Sequence, residues 1–503
     1  MKVSEFLKKN KRIKLYKGND QEEVTYISAD SRKIISGEIF CVYDSFMDFT
    51  LDYIKDAQSK SANTILINKN NKYLNKLKSV ENILVSSSDP MQLHGDVASF
   101  LLDHPSRKLK IIAVTGTNGK TSLTHILYDM VSKDRKRCGI IGTIQTKYGN
   151  KVIQTGYTTP EPSMLQSLLL DMYKDEVEYV FMEASSHGLK LGRMNGVNLY
   201  AGIFINLTLD HTDFHPTQED YLNSKFKLFK LLSKSIYKDA FAVVSIDSQA
   251  GKQILNLIKK NNYEFKILTF GKGGTYSGEV ESLSLQETVF KLKEGNKTYS
   301  MTTNLLGNFN FINVSLAYII CKNLQIDTEL LRSAIENLNP VEGRFHVIYS
   351  NRRNRIGIVD YAHTPDALEN ILKSLKAIPH TKLITIFGCG GDRDKSKRPI
   401  MGKIANSYSD MVIITSDNPR TENPETIIEE IYQGIPNPSS SVLKVLNRKQ
   451  AIKKGVNILP EEGILLVAGK GHENYQIIGK TKEDFSDLSE LKNAFTADET
   501  SRI

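Results

Sequence analysis

The sharpest chemical pattern in the chain is a glycine-rich segment, TGTNGKT at residues 115–121, which follows an apolar run and precedes a helical pattern. In such a loop, backbone N–H groups and a helix N-terminus hold phosphate oxygens. A lysine then reaches the terminal phosphates and a threonine hydroxyl ligates Mg²⁺. Val114 stands where the strict pattern GxxxxGK[ST] has glycine. The segment is therefore a variant phosphate-binding loop, with an ordinary glycine-rich turn as the alternative.

Two further segments place acidic and imidazole groups after apolar runs. EYVFM at residues 178–182 is followed by Glu183, and NLTLDHTDFH at residues 206–215 contains two histidines and two aspartates. A strand-end carboxylate beside a phosphate loop suits a Mg²⁺ ligand, whereas a helix cap or an ion pair is the alternative. The histidine-rich segment is either a metal site or a polar loop.

Three loops near the carboxyl end combine glycine with charge. They are GCGGDRD at residues 388–394, DNPR at residues 417–420 and GKGHE at residues 469–473, and each follows an apolar run. A guanidinium binds a carboxylate through two hydrogen bonds, so Arg393, Arg420 and Glu473 together favour a ligand that carries both a carboxylate and an ammonium. Surface ion pairs are the alternative for any one loop.

The elements that must position these groups are short β-rich runs alternating with helical patterns. We predict strands at residues 111–115, 138–143, 178–184, 201–207, 241–246, 355–362, 382–388, 410–416 and 463–469, and a helix at residues 218–233. This alternation is typical of βαβ units around parallel sheets. In such sheets ligands bind beyond the carboxyl ends of the strands, where the polar segments fall. The predicted fold class is α/β.

The length and composition bound the architecture. The 503 residues exceed what one hydrophobic core serves, and 40% hydrophobic with 24% charged residues excludes a disordered or fibrous protein. Polar breaks near residues 103–108 and 339–344 predict three domains, at residues 1–107, 108–342 and 343–503.

Charge, cysteine and apolar patterns narrow the cellular setting. The net charge of +9 comes from lysines spread along the chain, which does not favour nucleic acid as a partner. The four cysteines lie far apart, so neither a zinc tetrad nor a disulfide framework is indicated. With neither a signal-peptide core nor a membrane-length apolar run, we expect a cytoplasmic protein with no membrane insertion.

A resemblance to a known family covers the chain from about residue 25. The motifs TGTNGKTS, EASSHGL, DHTDFH, GNFNFIN, EGRF, DYAHTPDAL, FGCGGDRDKSKRP, DNPRTENP and AGKGHE occur in this order. In them the chain resembles the Mur ligases, and its last three motifs resemble the branch that adds a diamino acid as the third residue. The resemblance implies a UDP-binding N-terminal domain, a central P-loop parallel-sheet ATPase domain and a C-terminal Rossmann-like open α/β domain that binds the amino acid.

The implied activity is that of an ATP-dependent peptide ligase. ATP would phosphorylate the D-glutamate carboxylate of UDP-MurNAc-L-Ala-D-Glu, and the amine would attack the acyl phosphate. This would place the protein in peptidoglycan precursor synthesis, and so in cell-wall biogenesis, cell shape, the cell cycle and cell division. The implied partners are these small molecules alone, and we expect a monomer.

The resemblance also implies roles for individual residues. The ATP-binding residues would be Gly116, Thr117, Asn118, Gly119, Lys120, Thr121, Asn310, Arg344 and Asp360. The catalytic residues would be Lys120, Glu183, His211 and Lys225. Mg²⁺ would be held by Thr121, Glu183, His211 and a Lys225 carbamylated by CO₂. From the residues alone, a lysine within the helical pattern at 218–233 is typical of a solvated surface.

Substrate contacts follow from the same resemblance. They would come from Ser31, Thr158, Thr159, Ser185, Arg193, Arg393, Asp417, Asn418, Pro419, Arg420, Gly469 and Glu473. The family's glutamine near Arg193 is Leu191 here, and residues 42–57 depart from the usual uridine-binding pattern. Arg420 in DNPR favours meso-2,6-diaminopimelate, whose distal carboxylate it would face, while L-lysine and L-ornithine remain open.

Two other functions stay as alternatives. A folylpolyglutamate-synthase-like ligase would share the phosphate loop but is disfavoured by the DNPR and GKGHE loops. A catalytically silent nucleotide-binding or nucleic-acid-binding protein would fit the positive charge, and it predicts salt-dependent binding without substrate-stimulated ATP turnover.

Overall fold

The chain folds into two units that are built mostly on parallel sheets. The structure is a computed structural model that describes residues 1–208, 210–211, 214–350, 354–436 and 441–500. Leu209, Thr212 and Asp213 of the histidine-rich segment lie outside the described residues. One unit comprises Met1–Gly116, Asp134–Leu207 and His211–Phe270, and the other comprises Thr117–Lys133, Thr208–Asp210 and Gly271–Ile503.

The first unit begins with a five-stranded sheet of order β1-β5-β4-β3-β2, in which β1 is antiparallel and the others are parallel. Its elements are α1 (Val3–Lys9), β1 (Ile13–Lys17), β2 (Tyr26–Ser28), β3 (Glu38–Cys41), α2 (Thr50–Ser59), β4 (Thr64–Asn68), β5 (Asn82–Ser86) and α3 (Met91–Leu101). The strands β3 and β4 are almost fully buried, as expected for strands covered on both faces.

The second sheet of this unit has the order β13-β12-β11-β6-β10-β7-β8-β9, parallel from β13 to β7 and antiparallel beyond. The elements from the phosphate loop onward are β6 (Lys110–Thr115), α4 (Lys120–Lys133), β7 (Cys138–Ile141), β8 (Thr146–Tyr148), β9 (Lys151–Ile153), α5 (Pro162–Lys174), β10 (Tyr179–Glu183), α6 (Ser186–Lys190), β11 (Ala201–Phe204), α7 (Gln218–Leu232), β12 (Phe241–Ser245), α8 (Gln249–Lys260) and β13 (Lys266–Phe270). Of these, α4 belongs to the other unit. Each predicted strand and the predicted helix of this region are confirmed to within three residues.

The other unit combines an antiparallel meander with a six-stranded sheet. The sheet has the order β17-β18-β22-β19-β20-β21, with only β17 antiparallel. Its elements are β14 (Tyr276–Leu283), β15 (Thr288–Glu294), β16 (Lys297–Thr303), α9 (Asn308–Asn323), α10 (Thr328–Glu336), β17 (His346–Tyr349), β18 (Ile356–Asp360), α11 (Pro365–Lys376), β19 (Leu383–Phe387), α12 (Lys397–Tyr408), β20 (Met411–Ile414), α13 (Pro424–Tyr432), β21 (Val442–Lys444), α14 (Arg448–Ile458), β22 (Ile464–Ala468), β23 (Tyr475–Ile478), β24 (Thr481–Asp484) and α15 (Asp487–Thr500). The α/β fold class is therefore confirmed.

Local chemistry explains where the helices begin. Thr217 caps α7 by accepting a hydrogen bond from the Asp220 N–H, and Thr364 caps α11 in the same way, with Pro365 at the first helical position. No helix among the described residues is long and apolar enough to cross a bilayer.

A buried arginine ties two strand ends of the C-terminal sheet together. Arg448 donates through Nε and Nη2 to the two carboxylate oxygens of Asp487, each at 2.7 Å, and both side chains are buried. Its guanidinium also donates to the carbonyl of Ala468 at 2.9 Å and to that of Ser416 at 3.4 Å. Ala468 ends β22 and Ser416 lies two residues beyond β20, so one side chain spans the starts of two loops.

A buried histidine joins the N-terminal sheet to α5 within the first unit. His94 on α3 lies 2.6 Å through Nδ1 from the Tyr43 hydroxyl, and its Nε2 contacts the Ser163 hydroxyl. Since Ser163 donates its proton to the Ile27 carbonyl at 2.7 Å, Nε2 carries the imidazole hydrogen and Nδ1 accepts from Tyr43. Burial lowers the pKa of His94 to about 4.

We expect Arg448→Met to lower the free energy of unfolding by about 3–5 kcal/mol, because it leaves the Asp487 carboxylate buried without its cation. The matched control is Lys449→Met, which removes an ion pair to Glu490 from an exposed lysine and should cost less than about 1 kcal/mol. Urea titration of both variants measures the difference. Equal losses would contradict the structural role of Arg448.

We expect His94 to make stability fall as the pH drops from about 6.5 to about 4. In that window the unfolded chain binds a proton at this imidazole and the folded chain does not, so the slope is about 1.4 kcal/mol per pH unit from this group. His94→Gln removes the titration while keeping a polar side chain. The difference in unfolding free energy between wild type and variant, measured at pH 7 and pH 5, should shrink at the lower pH, and a constant difference would contradict the assignment.

Candidate active site

The phosphate loop lies between β6, which ends at Thr115, and α4, which begins at Lys120. Gly119 has φ +88°, a left-handed conformation that favours glycine, and it turns the chain into the helix. The Lys120 ammonium folds back and donates to the Thr117 carbonyl at 2.9 Å, and Thr121 is buried. The six predicted positions, residues 116–121, therefore form the strand–loop–helix arrangement that a phosphate needs.

Two residues that sequence reasoning missed contact this loop. The Asp366 carboxylate at the start of α11 accepts from the Asn118 amide at 3.2 Å and from the Thr208 hydroxyl at 2.7 Å. The Thr208 N–H in turn donates to the Thr117 hydroxyl at 3.0 Å. A carboxylate in the first turn of a helix is usually explained by the helix dipole, so the sequence offered no separate signal for Asp366.

Two of the predicted nucleotide-binding residues beyond the phosphate loop, Asn310 and Asp360, lie on different elements. Asn310 is buried at the start of α9 and donates to the Leu306 carbonyl at 2.9 Å. Asp360 ends β18 and accepts from the N–H groups of Phe345 at 2.7 Å and Ala362 at 2.8 Å. Burial raises the pKa of the Asp360 carboxyl, against the opposing effect of Arg344 and these two donors.

Arg344 belongs to an aromatic cluster that joins three of the motifs. Its guanidinium lies 4.6 Å from the centre of the Tyr361 ring, and the His472 ring lies 5.1 Å from the same ring. Burial and the neighbouring Arg344 lower the pKa of His472 to about 4. Gly343 has φ +66°, and a Cβ there would lie 2.0 Å from the backbone nitrogen of His472, so only glycine allows this close approach.

Glu183, the predicted metal ligand, is fully buried at the end of β10. Its carboxylate accepts from the Thr143 N–H at 2.7 Å and from the Thr143 hydroxyl at 3.1 Å. The Thr143 hydroxyl also lies 3.0 Å from that of Thr158, a predicted substrate residue. Thr143 was missed, because a single threonine after a strand carries no distinctive pattern.

Thr159, Ser185 and Arg193 are brought together in the first unit. The Thr159 hydroxyl lies 3.0 Å from the Ser185 hydroxyl, and Ser185 caps α6 by accepting from the Gly188 N–H. The Arg193 guanidinium donates to the Thr159 carbonyl at 3.1 Å and pairs with the Glu161 carboxylate at 2.7 Å. Arg193 therefore has a carboxylate partner within the chain, which a substrate anion would have to share.

Lys225 differs from what its sequence pattern indicates. The side chain is 1% exposed, so the expectation of a solvated surface lysine is wrong. It lies one turn after Tyr221 and one turn before Phe229, both buried, so it shares the inward face of α7. Its ammonium lies 4.3 Å from the centre of the Tyr221 ring.

His211 lies in a group of aromatic rings near the start of α7. It has φ +53°, and its ring meets that of His187 edge-on at 4.8 Å. His187 also stacks on Phe214 at 3.9 Å. Among the described residues, no group of three or more His, Cys, Asp or Glu side chains is placed to hold a metal ion. The Thr121 hydroxyl and Glu183 carboxylate are oxygen donors of the kind Mg²⁺ prefers, and Mg²⁺ typically binds through one or two carboxylates with substrate phosphates.

Ser31, a predicted substrate contact, is buried beside α2. Its hydroxyl donates to the Asp56 carboxylate at 2.7 Å. The neighbouring Asp30 and Arg32 form an ion pair, in which the Arg32 guanidinium is exposed. Asp56 was not singled out from the sequence.

The DNPR and GKGHE loops interlock through side chains. Asn418 donates to the Glu473 carboxylate at 2.9 Å, and the buried Lys470 donates to both residues. Gly469 has φ +117°, and a Cβ there would lie 2.7 Å from the Asp417 carboxylate, which requires glycine. Pro419 lies between Asn418 and Arg420, and its carbonyl oxygen would lie 1.9 Å from a Cβ at Gly391.

The GCGGDRD loop joins the same group. Arg420 has φ +51° and donates to the Gly391 carbonyl at 2.7 Å. Arg398, which sequence reasoning missed, is fully buried and donates to Glu422, Glu430 and the Gly390 carbonyl. It lowers the pKa of Glu422 to about 2. Arg393, by contrast, is exposed and donates to the Asp392 carbonyl at 3.3 Å.

Comparison with known proteins agrees with this arrangement. A family model described as the Mur ligase middle domain matches residues 114–321, and a model described as the Mur ligase glutamate ligase domain matches residues 343–471. The chain is 47% identical over 481 residues to the UDP-N-acetylmuramoyl-L-alanyl-D-glutamate--2,6-diaminopimelate ligase of Leptospira borgpetersenii serovar Hardjo-bovis (strain L550), with 95% of each chain covered. The protein of the same name from Leptospira interrogans serogroup Icterohaemorrhagiae serovar copenhageni (strain Fiocruz L1-130) is 47% identical over 509 residues, covering 98% of this chain and 99% of that one.

A solved structure gives the same result in three dimensions. The structure of a UDP-N-acetylmuramoyl-L-alanyl-D-glutamate--2,6-diaminopimelate ligase superimposes with a TM-score of 0.73 at 31% identity, covering 99% of both chains. Sequence and fold therefore agree over almost the whole length, and the chain belongs to the Mur ligase family.

Proposed function

We propose that this protein is an ATP-dependent ligase that joins meso-2,6-diaminopimelate to the D-glutamate carboxylate of UDP-MurNAc-L-Ala-D-Glu. The observation that carries the proposal is the interlocked group of Asn418, Arg420, Lys470 and Glu473, which offers a guanidinium and a carboxylate within one set of loops. The relatives that are 47% identical over nearly their full length bear the name of this activity.

The chain's own residues would serve this reaction by positioning and by charge. ATP supplies the phosphoryl group and Mg²⁺ neutralises its charge. Lys120 would leave the Thr117 carbonyl for the terminal phosphates. Thr121 and Glu183 each remain a proposed Mg²⁺ ligand. Thr158, Thr159 and Ser185 would bind the peptide end of the nucleotide substrate near Glu183. Bringing two anions and an amine together is the main task, so catalysis depends on orientation and charge neutralisation.

The choice of diaminopimelate as the amino acid substrate rests on the positive charge of Arg420. Among the described residues its guanidinium hydrogen-bonds only to the neutral Gly391 carbonyl, so its other N–H groups can donate to a substrate carboxylate. Diaminopimelate has a distal carboxylate, whereas L-lysine and L-ornithine lack one and would leave the guanidinium without a partner. A folylpolyglutamate-type ligase would not use this group of loops. A catalytically silent binding protein would not need Lys120, Glu183 and Arg420 together.

We expect phosphate release and product formation with UDP-MurNAc-L-Ala-D-Glu, Mg·ATP and meso-diaminopimelate, and kcat/KM at least about 100-fold lower with L-lysine or L-ornithine. Mass detection of the product identifies which amine was added.

The control arm omits the amine and measures ATP turnover alone. Turnover with lysine or ornithine at the level of diaminopimelate would keep the ligase and overturn the role of Arg420. Absence of turnover with all three amines, in buffer containing bicarbonate, would contradict the ligase assignment.

We also propose that Lys225 is carbamylated. The neutral amine would attack CO₂ to form a carbamate and release one proton, turning a buried ammonium into a carboxylate that can ligate Mg²⁺. Its burial supports the proposal, because a lysine ammonium is rarely placed in an interior without a compensating role.

We expect Lys225→Ala to lower kcat by about 100-fold or more, since it removes a negative ligand from the reacting centre. Lys230→Ala is the matched control, because Lys230 lies on the same helix and is exposed. NMR of enzyme equilibrated with ¹³C-bicarbonate should show a carbamate signal that Lys225→Ala lacks. Full activity of Lys225→Ala, or of enzyme freed of bicarbonate, would contradict the carbamate.

The predicted domain limits remain a proposal, at residues 1–107, 108–342 and 343–503. The two family-model matches, at residues 114–321 and 343–471, fall inside the second and third of these ranges, which supports them. We propose likewise that the protein acts as a monomer on small molecules in the cytoplasm, within cell-wall precursor synthesis.

A further inference from the structure

Lys470 is the most deeply buried charged side chain in the group of loops that surrounds Asn418. It follows Gly469 after β22 and is 0% exposed. Its ammonium donates to the Asn418 amide oxygen at 3.2 Å and to the Glu473 Oε2 atom at 3.1 Å, and it lies 5.5 Å from the centre of the Tyr475 ring. Such a cation is expensive to bury unless it is paired, and here it is paired with two groups of the proposed amine site.

These contacts fix the orientation of the Asn418 amide. Its oxygen accepts from Lys470 and from the Ile477 N–H at 2.9 Å, so its nitrogen must be the atom that faces Glu473. Glu473 Oε2 thus receives two donors, while the described residues give Oε1 none. The side chain is 18% exposed, so Oε1 remains available to an incoming ammonium.

The charge of the site comes from the buried and half-buried charged side chains of the DNPR and GKGHE loops. Glu473 and Asp417 contribute two negative charges, and Lys470 and Arg420 contribute two positive charges. Arg448 and Asp487 cancel each other behind the loops, and Arg393 is exposed to solvent. The site is therefore close to neutral overall, which matches an amino acid end carrying one carboxylate and one ammonium. Without Lys470 the site would carry one net negative charge and would favour a lone ammonium.

We propose that Lys470 is a specificity-determining positioning residue of the amine site. It orients Asn418 and Glu473 and balances the charge of Glu473, so that the site takes a zwitterionic chain end and rejects the cationic end of lysine. This inference rests on the proposed function, because it concerns the choice of amine in that reaction.

The test compares kcat/KM for meso-diaminopimelate with that for L-lysine in wild type and in Lys470→Met. We expect the ratio of the two values to fall by at least about 10-fold in Lys470→Met, because an uncompensated carboxylate attracts the lysine ammonium. The change should appear in KM for the amine, while KM for ATP and for UDP-MurNAc-L-Ala-D-Glu stays at the wild-type value. A general structural defect would alter all three KM values.

Three further variants make the outcome specific. Lys470→Arg keeps the charge and should restore most of the wild-type ratio. Adding Glu473→Gln to Lys470→Met removes the uncompensated charge and should raise the ratio again, whatever the loss in overall rate. Lys482→Met is the matched control, because Lys482 lies over the same Tyr475 ring at 3.9 Å but is exposed, and it should leave the ratio unchanged.

The outcomes separate this inference from the proposed function. A wild type that uses neither amine overturns both. A wild type that uses diaminopimelate, with an unchanged ratio in Lys470→Met, overturns the role of Lys470 alone. If Lys470→Met does not fold, Lys470→Gln takes its place as the variant without the positive charge, and a ratio in Lys470→Gln equal to that in Lys470→Arg would overturn the inference.

Discussion

Parallel strands end at a common edge of their sheet, and this constraint gathers the chemistry of the protein. In one unit, β10 ends at Glu183, next to Thr143 beyond β7. In the other, β19, β20 and β22 end where the loops carrying Arg393, Asn418 and Lys470 begin. Motifs separated by tens of residues in the chain can meet there, because each strand delivers its loop to the same edge.

Buried cations hold these loops in place. Arg448 spans the carbonyls of Ser416 and Ala468, and Arg398 joins the Gly390 carbonyl to Glu422. Lys470 links the next pair of side chains, Asn418 and Glu473. A buried ion pair contributes little net stability compared with an apolar pair, because desolvation offsets the attraction. What these cations provide is a fixed geometry, since a guanidinium satisfies several acceptors in set directions.

The sequence predicted the strands well because each is a continuous apolar run ending in polar residues. The loop motifs, and the grouping of Asn418 with Glu473, could also be anticipated from their place at strand ends that share one edge of a parallel sheet. The burial of Lys225 could not be anticipated, because a lysine in a helical pattern indicates a surface position until the packing of the neighbouring aromatic side chains is known. A related reason explains why the sequence analysis missed Thr143, Asp366, Arg398 and Lys470. Their partners are set by tertiary packing, and a single polar residue forms no repeating pattern in the sequence.

The phosphate loop shows how binding can be coupled to these internal contacts. Lys120 donates to the Thr117 carbonyl, and the Asn118 amide donates to Asp366, so these two side-chain donors of the loop already have acceptors within the chain. A polyphosphate would replace the neutral carbonyl acceptor of Lys120 with a negatively charged oxygen, which adds the attraction between opposite charges to the hydrogen bond. The exchange therefore favours the ligand without leaving the Lys120 ammonium unpaired. Since Asp366 lies in the first turn of α11 and also accepts from Thr208, a change at Asn118 acts directly on that turn.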